Sequence, residues 1–320
     1  MTTSHDSSYS SQTAREIATQ PDCWRKAAAS AADHCDALPK HGERVAVVGC
    51  GTSYYMALAY AELREQAGHG ETDAFAASLF PADRHYDRVV ALTRSGTTTE
   101  VVTLLTRIRG RARVTALTAD GTTPVADVSD SVIVLDYADE ESVVQTRFAT
   151  TALALLRAHL EHLGPLPEGV RTIAQAADDV ERAIAAPLPG DMLAAEQITF
   201  LGVGWAYGLA LEAGLKLREA AGAWTEAYPA MEYRHGPISI TAPGRGAWVF
   251  GPAPHGLGDD VARTGGAYVA ESGGAPGDLD PLADLVRAQR LAVHMAGARG
   301  LDPDRPRALT RSVVLPGAHD

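Results

Sequence analysis

The sequence predicts an α/β protein built from two tandem, doubly wound parallel sheets, and three observations carry that expectation. The chain has 320 residues, about twice the size of an ordinary domain. β-Branched runs alternate with Ala/Leu-rich helical stretches, the order that a parallel sheet covered on both faces requires. A strand, glycine turn and helix at 44–68 recurs at 197–222, which reads as an internal duplication of architecture. The expected division is a disordered segment over 1–12, a first α/β domain over 13–165 with N-terminal helices, and a second over 166–320 ending in a tail.

The elements follow in order. Residues 13–35 read as helical in two pieces divided near Pro21, since proline removes a backbone N–H and crowds the preceding turn. RVAVVGCGTSYYMALAYAELREQAG (44–68) gives a strand, a Gly-rich turn with Thr52 and Ser53 as capping residues, and a helix. RVVALTRSGTTTEVVTLLTRI (88–108) repeats that plan; 113–120 and 130–137 are further strands, and 143–164 is a long helix. GPLPEG (164–169) is a linker, 170–185 is helical and APLPG (186–190) is a second break. After 197–222 come short strands near 246–251 and 266–270, a helix at 281–298 and the tail GLDPDRPRALTRSVVLPGAHD.

Composition narrows the functions available. Hydrophobic residues make up 46% and charged residues 21%, the balance of a globular protein. The net charge of −12 argues against nucleic-acid binding, because no basic excess exists to neutralise phosphates. An anionic substrate would need local donors from backbone amides and helix N-termini. Cys23, Cys35 and Cys50 are too few and too odd in number for a disulfide framework, which suggests a reducing compartment. The first twelve residues lack the basic start and apolar core of a signal peptide, and no apolar run reaches the 18 residues of a membrane span. The expectation is a cytoplasmic protein with neither a nucleic-acid nor a membrane partner.

Two polar turns offer an anion site. Thr93-Arg94-Ser95-Gly96-Thr97-Thr98-Thr99 follows an apolar strand and opens a helix, so hydroxyls, free N–H groups and the helix dipole converge there. Arg94 adds a charge-assisted donor. Cys50-Gly51-Thr52-Ser53 presents the same chemistry at a neighbouring strand end, where open α/β sheets bind ligands. The plainer alternative is that these Ser and Thr residues only cap helices. Dinucleotide binding is disfavoured: Gly49-Cys50-Gly51 has Tyr54 where the fingerprint needs its third glycine, and Gly202-Val203-Gly204 has Tyr207 there.

Acid–base chemistry has one candidate region, 211–240, with Lys216, Glu219, Glu226, Glu232 and His235. Lys216 and Glu219 are i, i+3 on one helix, and a carboxylate on an apolar helix beside a cation suits a general base. His235, in a loop before Gly236-Pro237, has the side chain that titrates near neutrality. A solvated helix pair and a loop histidine with a structural role are the alternatives. The other histidines show no metal-like pairing; His159 and His162 share a helix face without a third ligand. Neither a metal nor a cofactor is expected.

These motifs together resemble the sugar isomerase (SIS) superfamily, and specifically the isomerase half of glucosamine-6-phosphate synthase, over nearly the whole chain. REIATQP (15–21), CGTS (50–53), TRSGTTTE (93–100), EESVVQTRFATT (140–151), LEAGLKLREAAGAWTEAYPAMEYRHGP (211–237) and DRPRALTRSVV (304–314) carry the resemblance. It implies two flavodoxin-like SIS domains and a sugar-phosphate site. Ser53, Thr93, Ser95 and Thr98 would hold the phosphate, with Gly51, Thr52, Arg94 and Val143 completing the substrate site. Glu219 would move a proton between C1 and C2, Lys216 would support it, and His235 would assist ring opening from a partner subunit, so a homodimer with shared sites is implied.

The chain also departs from the family. Arg311 stands where the family has its tail lysine, and arginine stays protonated and forms no Schiff base. Arg94 replaces a loop glutamine, and no glutamine-hydrolysing domain accompanies the isomerase motifs, so a glutamine-dependent synthase is not expected. The leading expectation is an isomerase or deaminase acting on glucosamine 6-phosphate or N-acetylglucosamine 6-phosphate, with Glu219 as base. A dehydratase or lyase performing β-elimination on the N-acetylated sugar is the alternative. A non-catalytic phosphosugar sensor is the third reading, and the stretch before the first strand is too short and too little basic for a helix-turn-helix unit.

Overall fold

The computed structural model describes residues 11–81 and 83–316, so most of the segment expected to be disordered lies outside the described residues. Two helices open it, α1 (Gln12–Ala18) and α2 (Gln20–Ser30), separated at Thr19. Ser11 caps α1 by accepting from the Ala14 N–H. Pro21 stands in the first turn of α2, where its missing N–H costs nothing.

The chain folds into two compact units, neither continuous in sequence. One comprises Asp22–Glu140, Arg147–Ala174 and Thr310–Asp320. Its sheet is formed by β1 (Val45–Gly49), β2 (Thr72–Ala76), β3 (Arg88–Leu92), β4 (Arg113–Thr118) and β5 (Ser131–Val134). These strands are all parallel, in the order β2-β1-β3-β4-β5. Between them run α3 (Thr52–Gln66) and α4 (Thr99–Ile108), and α5 (Arg147–Leu163) follows. β1 and β3 are buried along their whole length, as strands covered on both faces must be. Ala46, Val48, Val89 and Ala91 pack against Val101, Leu104, Leu105 and Ile108 of α4 on one face. α3 lies against β1 and β2, and packs with α5.

The other unit comprises Met1–Pro21, Glu141–Thr146 and Gln175–Leu309. After α6 (Ile173–Ala185) it holds β6 (Gln197–Gly202), α7 (Ala206–Ala221), β7 (Trp224–Pro229), β8 (Arg245–Phe250), α8 (Leu257–Thr264), β9 (Ala267–Ala270) and α9 (Pro281–Ala298). The sheet is again parallel, in the order β7-β6-β8-β9. Counted from its own first strand, each sheet therefore begins 2-1-3-4. The strand-end glycines match as well. A Cβ at Gly49 would lie 2.7 Å from Ser53, and one at Gly202 would lie 2.2 Å from the Tyr207 Cα. In both, only glycine lets the following helix close onto its strand.

Two expectations change. The helix expected from 143 begins at Arg147, because the Glu140 carboxylate accepts the N–H groups of Arg147 (2.8 Å) and Phe148 (3.4 Å) and sets its first turn there. Residues 141–146 instead belong to the four-stranded unit. The sequence reading also passed over β2 and β7, whose exposed or polar positions (Asp73, Trp224, Glu226) blur the strand pattern. Among the described residues no helix is long and apolar enough to cross a membrane.

Candidate functional site

In the five-stranded unit β1 and β3 are neighbours from which the strand order runs in opposite directions, and the two polar turns follow their C-terminal ends. Gly51 enters α3 at φ +54°, and Thr52 and Ser53 are buried in the first turn of that helix. Burial, reinforced by the nearby Glu100 carboxylate, pushes the Cys50 thiol up to about 11, so it is no nucleophile at neutral pH.

After β3 the chain turns through Gly96 at φ +62°, where a Cβ would stand 1.9 Å from Thr123 Oγ1. The turn closes only around glycine. Thr98 is the N-cap residue of α4, yet its side chain makes no capping hydrogen bond. Its hydroxyl points elsewhere: Ser95 Oγ, Thr97 Oγ1 and Thr98 Oγ1 lie 3.1, 2.9 and 3.5 Å from one atom, Ser312 Oγ. Thr93 Oγ1 is buried without a hydrogen-bond partner. The tail is held over the turn by Thr99 N–H donating to the Val313 carbonyl (3.1 Å) and Leu315 N–H donating to Thr99 Oγ1 (2.9 Å).

Arg94 is buried and directed toward Glu140, 3.4 Å away, while also donating to the Arg311 carbonyl at 3.3 Å. Arg311 in turn donates to the Glu140 carbonyl and pairs with Asp139 at 2.5 Å. The charge at position 94 thus serves a buried ion pair that ties the turn to the start of α5 and to the tail.

In the four-stranded unit, α7 carries the acid–base candidates. Lys216 is 1% exposed, bonded to Glu219 three residues on and 3.4 Å from Glu212 four residues back. Two carboxylates share one buried ammonium, which fixes the orientation of the Glu219 side chain. Glu219 opens onto a cavity of about 640 Å³ bounded by the end of α7 and by residues 300–309. His235 is exposed and ends a short helical turn before Gly236, at φ +144°. The adjoining Arg234 is fixed by Asp260 (2.6 Å) and the His255 carbonyl (2.7 Å).

Val143 sits in a loop braced within the same unit. Its N–H donates to the Asp304 carbonyl at 3.0 Å, and the buried Glu16 carboxylate accepts the Glu141 N–H (2.6 Å) and the Ser142 hydroxyl. The Asp304 carboxylate accepts from Gln12 N (2.8 Å), Thr13 N (2.7 Å) and Thr13 Oγ1 (2.6 Å) at the start of α1. Partial burial raises its pKa, but these donors outweigh that and hold it below its ordinary value.

Gly51, Thr52, Ser53, Thr93, Arg94, Ser95, Thr98 and Arg311 therefore fall in the five-stranded unit, and Val143, Lys216, Glu219 and His235 in the four-stranded one. Sequence reasoning missed Glu16, Glu140, Glu212, Asp304 and Ser312 as parts of these arrangements. Only Glu212 carried a signal, its i, i+4 spacing to Lys216. Among the described residues no three metal-ligating side chains converge.

No protein-family profile matches the chain. It is 28% identical over 303 residues to a glutamine–fructose-6-phosphate aminotransferase (isomerizing) of Sulfurisphaera tokodaii, a match covering 86% of this chain and 51% of the relative. It is 29% identical over 319 residues to a protein of the same name from Gloeobacter violaceus, covering 85% and 52%. The chain thus spans about half the length of these relatives. Among solved structures it is similar to a glucosamine-6-phosphate deaminase of Thermotoga maritima (TM-score 0.77, 25% identity, 95% of this chain and 100% of that one). A tagatose-6-phosphate ketose/aldose isomerase of Escherichia coli shares the fold (TM-score 0.76, 19% identity, 96% and 98%). The parallel α/β sheets of this chain are thus a fold that it shares with solved sugar-phosphate proteins.

Proposed function

We propose that the chain is an enzyme of two SIS domains, one built on each parallel sheet and exchanging segments where the sequence reading drew a single boundary at 165/166, that converts an amino-sugar 6-phosphate, glucosamine 6-phosphate or its N-acetyl derivative. The observation that carries this is the convergence of the Ser95, Thr97 and Thr98 hydroxyls on one oxygen at the N-terminus of α4. A phosphate oxygen replaces the Ser312 hydroxyl there and gains both the three donors and the helix dipole. Thr93 adds a buried hydroxyl that has no other use. Gly51, Thr52 and Ser53 supply the second turn, and Val143 the loop beside the sugar.

Glu219 takes the proton from C2 of the opened aldose, held for that task by Lys216. The C1 oxygen gains a proton, giving an enolamine. Reprotonation at C1 then yields the C2 imine, which water hydrolyses to a ketose phosphate and ammonia; with a 2-hydroxyl the same steps give an aldose–ketose isomerisation. His235, exposed on its loop, serves ring opening for a second copy of the chain, so the working form is a homodimer. The same reading makes the protein cytoplasmic.

Arg311 favours a second outcome. Its guanidinium is engaged by Asp139 and the Glu140 carbonyl and offers no exchangeable amine for imine chemistry. With an N-acetylated substrate, the electron pair left at C2 then forms a C2=C3 double bond and the C3 hydroxyl departs, taking back the proton held by Glu219 and leaving as water, a β-elimination.

Proton NMR in heavy water tests these steps. Glucosamine, N-acetylglucosamine and fructose 6-phosphates are added separately to the protein and to a Glu219→Gln variant. Deuterium at C2 or C1, absent with the variant, is expected; ammonia with a ketose phosphate, or a new alkene signal, tells deamination from elimination. Binding without exchange of any of the three defeats the enzyme reading and leaves a sensor.

A further inference from the structure

The Glu16 carboxylate is 1% exposed, yet among the described residues its hydrogen-bond partners are all neutral donors. Its Oε1 accepts the N–H groups of Glu141 (2.6 Å) and Ser142 (3.3 Å) and the Gln12 side-chain amide (3.2 Å), and its Oε2 accepts the Ser142 hydroxyl. Burying a charge without a countercharge opposes folding unless donors offset the lost hydration. Here most of those donors belong to two successive residues of one loop. What the carboxylate fixes is therefore the backbone of that loop.

The loop, 141–146, interrupts the five-stranded unit in sequence and belongs to the four-stranded one. Its next residue, Val143, donates its N–H to the Asp304 carbonyl at 3.0 Å. The Asp304 carboxylate returns the contact to the helix that carries Glu16, accepting from Gln12 N and Thr13 N at 2.8 and 2.7 Å. Segments 12–16, 141–143 and 304, remote in sequence and all within the four-stranded unit, thus close a ring of hydrogen bonds. That ring meets the cavity onto which Glu219 opens, because Asp302 and Arg305, on either side of Asp304, line it. The other end of this cavity wall is tied to α7 by Arg299, which donates to the Ala221 carbonyl at 2.8 Å.

We infer that Glu16 is a positioning residue for the proton transfer proposed for Glu219, acting by holding the 141–143 loop and the Asp304 end of the cavity wall in place. The inference rests on the phosphosugar reading and adds to it a residue on α1, an element that carries none of the candidate site groups. A shift of about 1 Å in a segment that positions the reacting atoms costs a rate about 10²-fold, even when the altered residue touches nothing that reacts. Glutamine at position 16 keeps the shape but turns one acceptor oxygen into an N–H donor, so it cannot serve both loop amides and the Ser142 hydroxyl as the carboxylate does.

Exchange of the C2 proton of glucosamine 6-phosphate, followed by NMR in heavy water beside urea unfolding of the same samples, tests this role. Glu16→Gln is expected to lower kcat about 10- to 100-fold and to leave KM within about 2-fold, because the proposed phosphate donors on the Thr93–Thr98 turn are untouched. Ser142→Ala, which removes one donor of the ring, should lower kcat about 3- to 10-fold, and the double variant should fall no further than Glu16→Gln, since both act through one contact. Amide hydrogen exchange gives a reading that needs no substrate: Glu141, Ser142 and Val143 should lose protection in Glu16→Gln while β6 and β8 keep theirs. If Glu16→Gln does not fold, Ser142→Ala decides, with kcat and the protection of these amides expected to fall together. An unchanged kcat in the folded variant, with or without a loss of stability, overturns the positioning role alone and leaves Glu16 a structural residue. A raised KM with kcat intact, or losses that multiply in the double variant, overturns it too. Absence of exchange by the unaltered protein with any of the three phosphosugars overturns the phosphosugar reading and the positioning role with it.

Discussion

Ser312 Oγ lies 3.1 Å from Ser95 Oγ, so the C-terminal tail fills the cup of hydroxyls that opens α4. An anion entering the cup must take the place of that hydroxyl.

A carboxylate built into the tail would then compete with the substrate's phosphate. Ser312→Glu is expected to raise the KM for a phosphosugar about 10-fold with little change in kcat, since helix N-termini and hydroxyl donors favour a negative charge there. Inorganic phosphate should weaken as an inhibitor in parallel. An unchanged KM would mean that the cup is not where phosphate binds.

Glu219→Gln keeps the side chain's shape and leaves Lys216 beside Glu212, so the fold should persist. Exchange of the C2 proton should fall about 10²–10⁴-fold, the range for loss of a general base, with affinity for the phosphosugar little altered. Lys216→Met removes the cation that both carboxylates share, and should cost stability as well as rate. Thermal unfolding run alongside the exchange assay separates the two.

The Arg94–Glu140 pair is buried, and breaking one side leaves the other charge in the interior. Arg94→Gln should lower unfolding free energy by about 3 kcal/mol, measured in urea. Arg94→Gln/Glu140→Gln should recover part of that loss, because no charge is then stranded and the amide oxygen introduced with the second change can still accept the Arg147 N–H. Equal losses in the single and double variants would show that the pair contributes through packing.

Two carboxyls should make stability depend on pH with opposite signs. Asp284 is buried, and burial pushes it up to about 6 despite Arg287, Trp248 and Ser272. Its folded pKa exceeds its unfolded one, so the fold loses stability as pH rises from about 4 to 6, on the order of 2–3 kcal/mol. Asp304 is held below its ordinary value, so its contribution is present above about pH 4 and disappears as pH falls through the folded pKa. Asp284→Asn should flatten the first slope and Asp304→Asn the second, in unfolding curves taken from about pH 3 to 7.

Much of the fold was legible because its signals are local. The helix expected at 281–298 is α9, Pro281–Ala298, since an aspartate cap, a proline in the first turn and an apolar run all sit within one stretch. β1, β3 and β6 were legible as apolar runs ending in glycine turns. β2 and β7 were not, because partly exposed strands lack that continuous pattern. The start of α5 was misread because Glu140, seven residues before Arg147, sets it, and no nearest-neighbour rule reports so distant a cap.

By itself the sequence determined which turns could hold an anion and that Lys216 and Glu219 share a helix face, since both follow from neighbours along the chain. Only the tertiary structure decided where the charges go. Arg94, a natural phosphate ligand in the sequence, turns inward to Glu140, because a guanidinium buried at that depth needs a carboxylate. Ser312, a tail hydroxyl to which the sequence reading gave no role, reaches the Ser95 cup from 217 residues away. Such pairings depend on which distant segments folding brings together, and spacing along a chain does not record that.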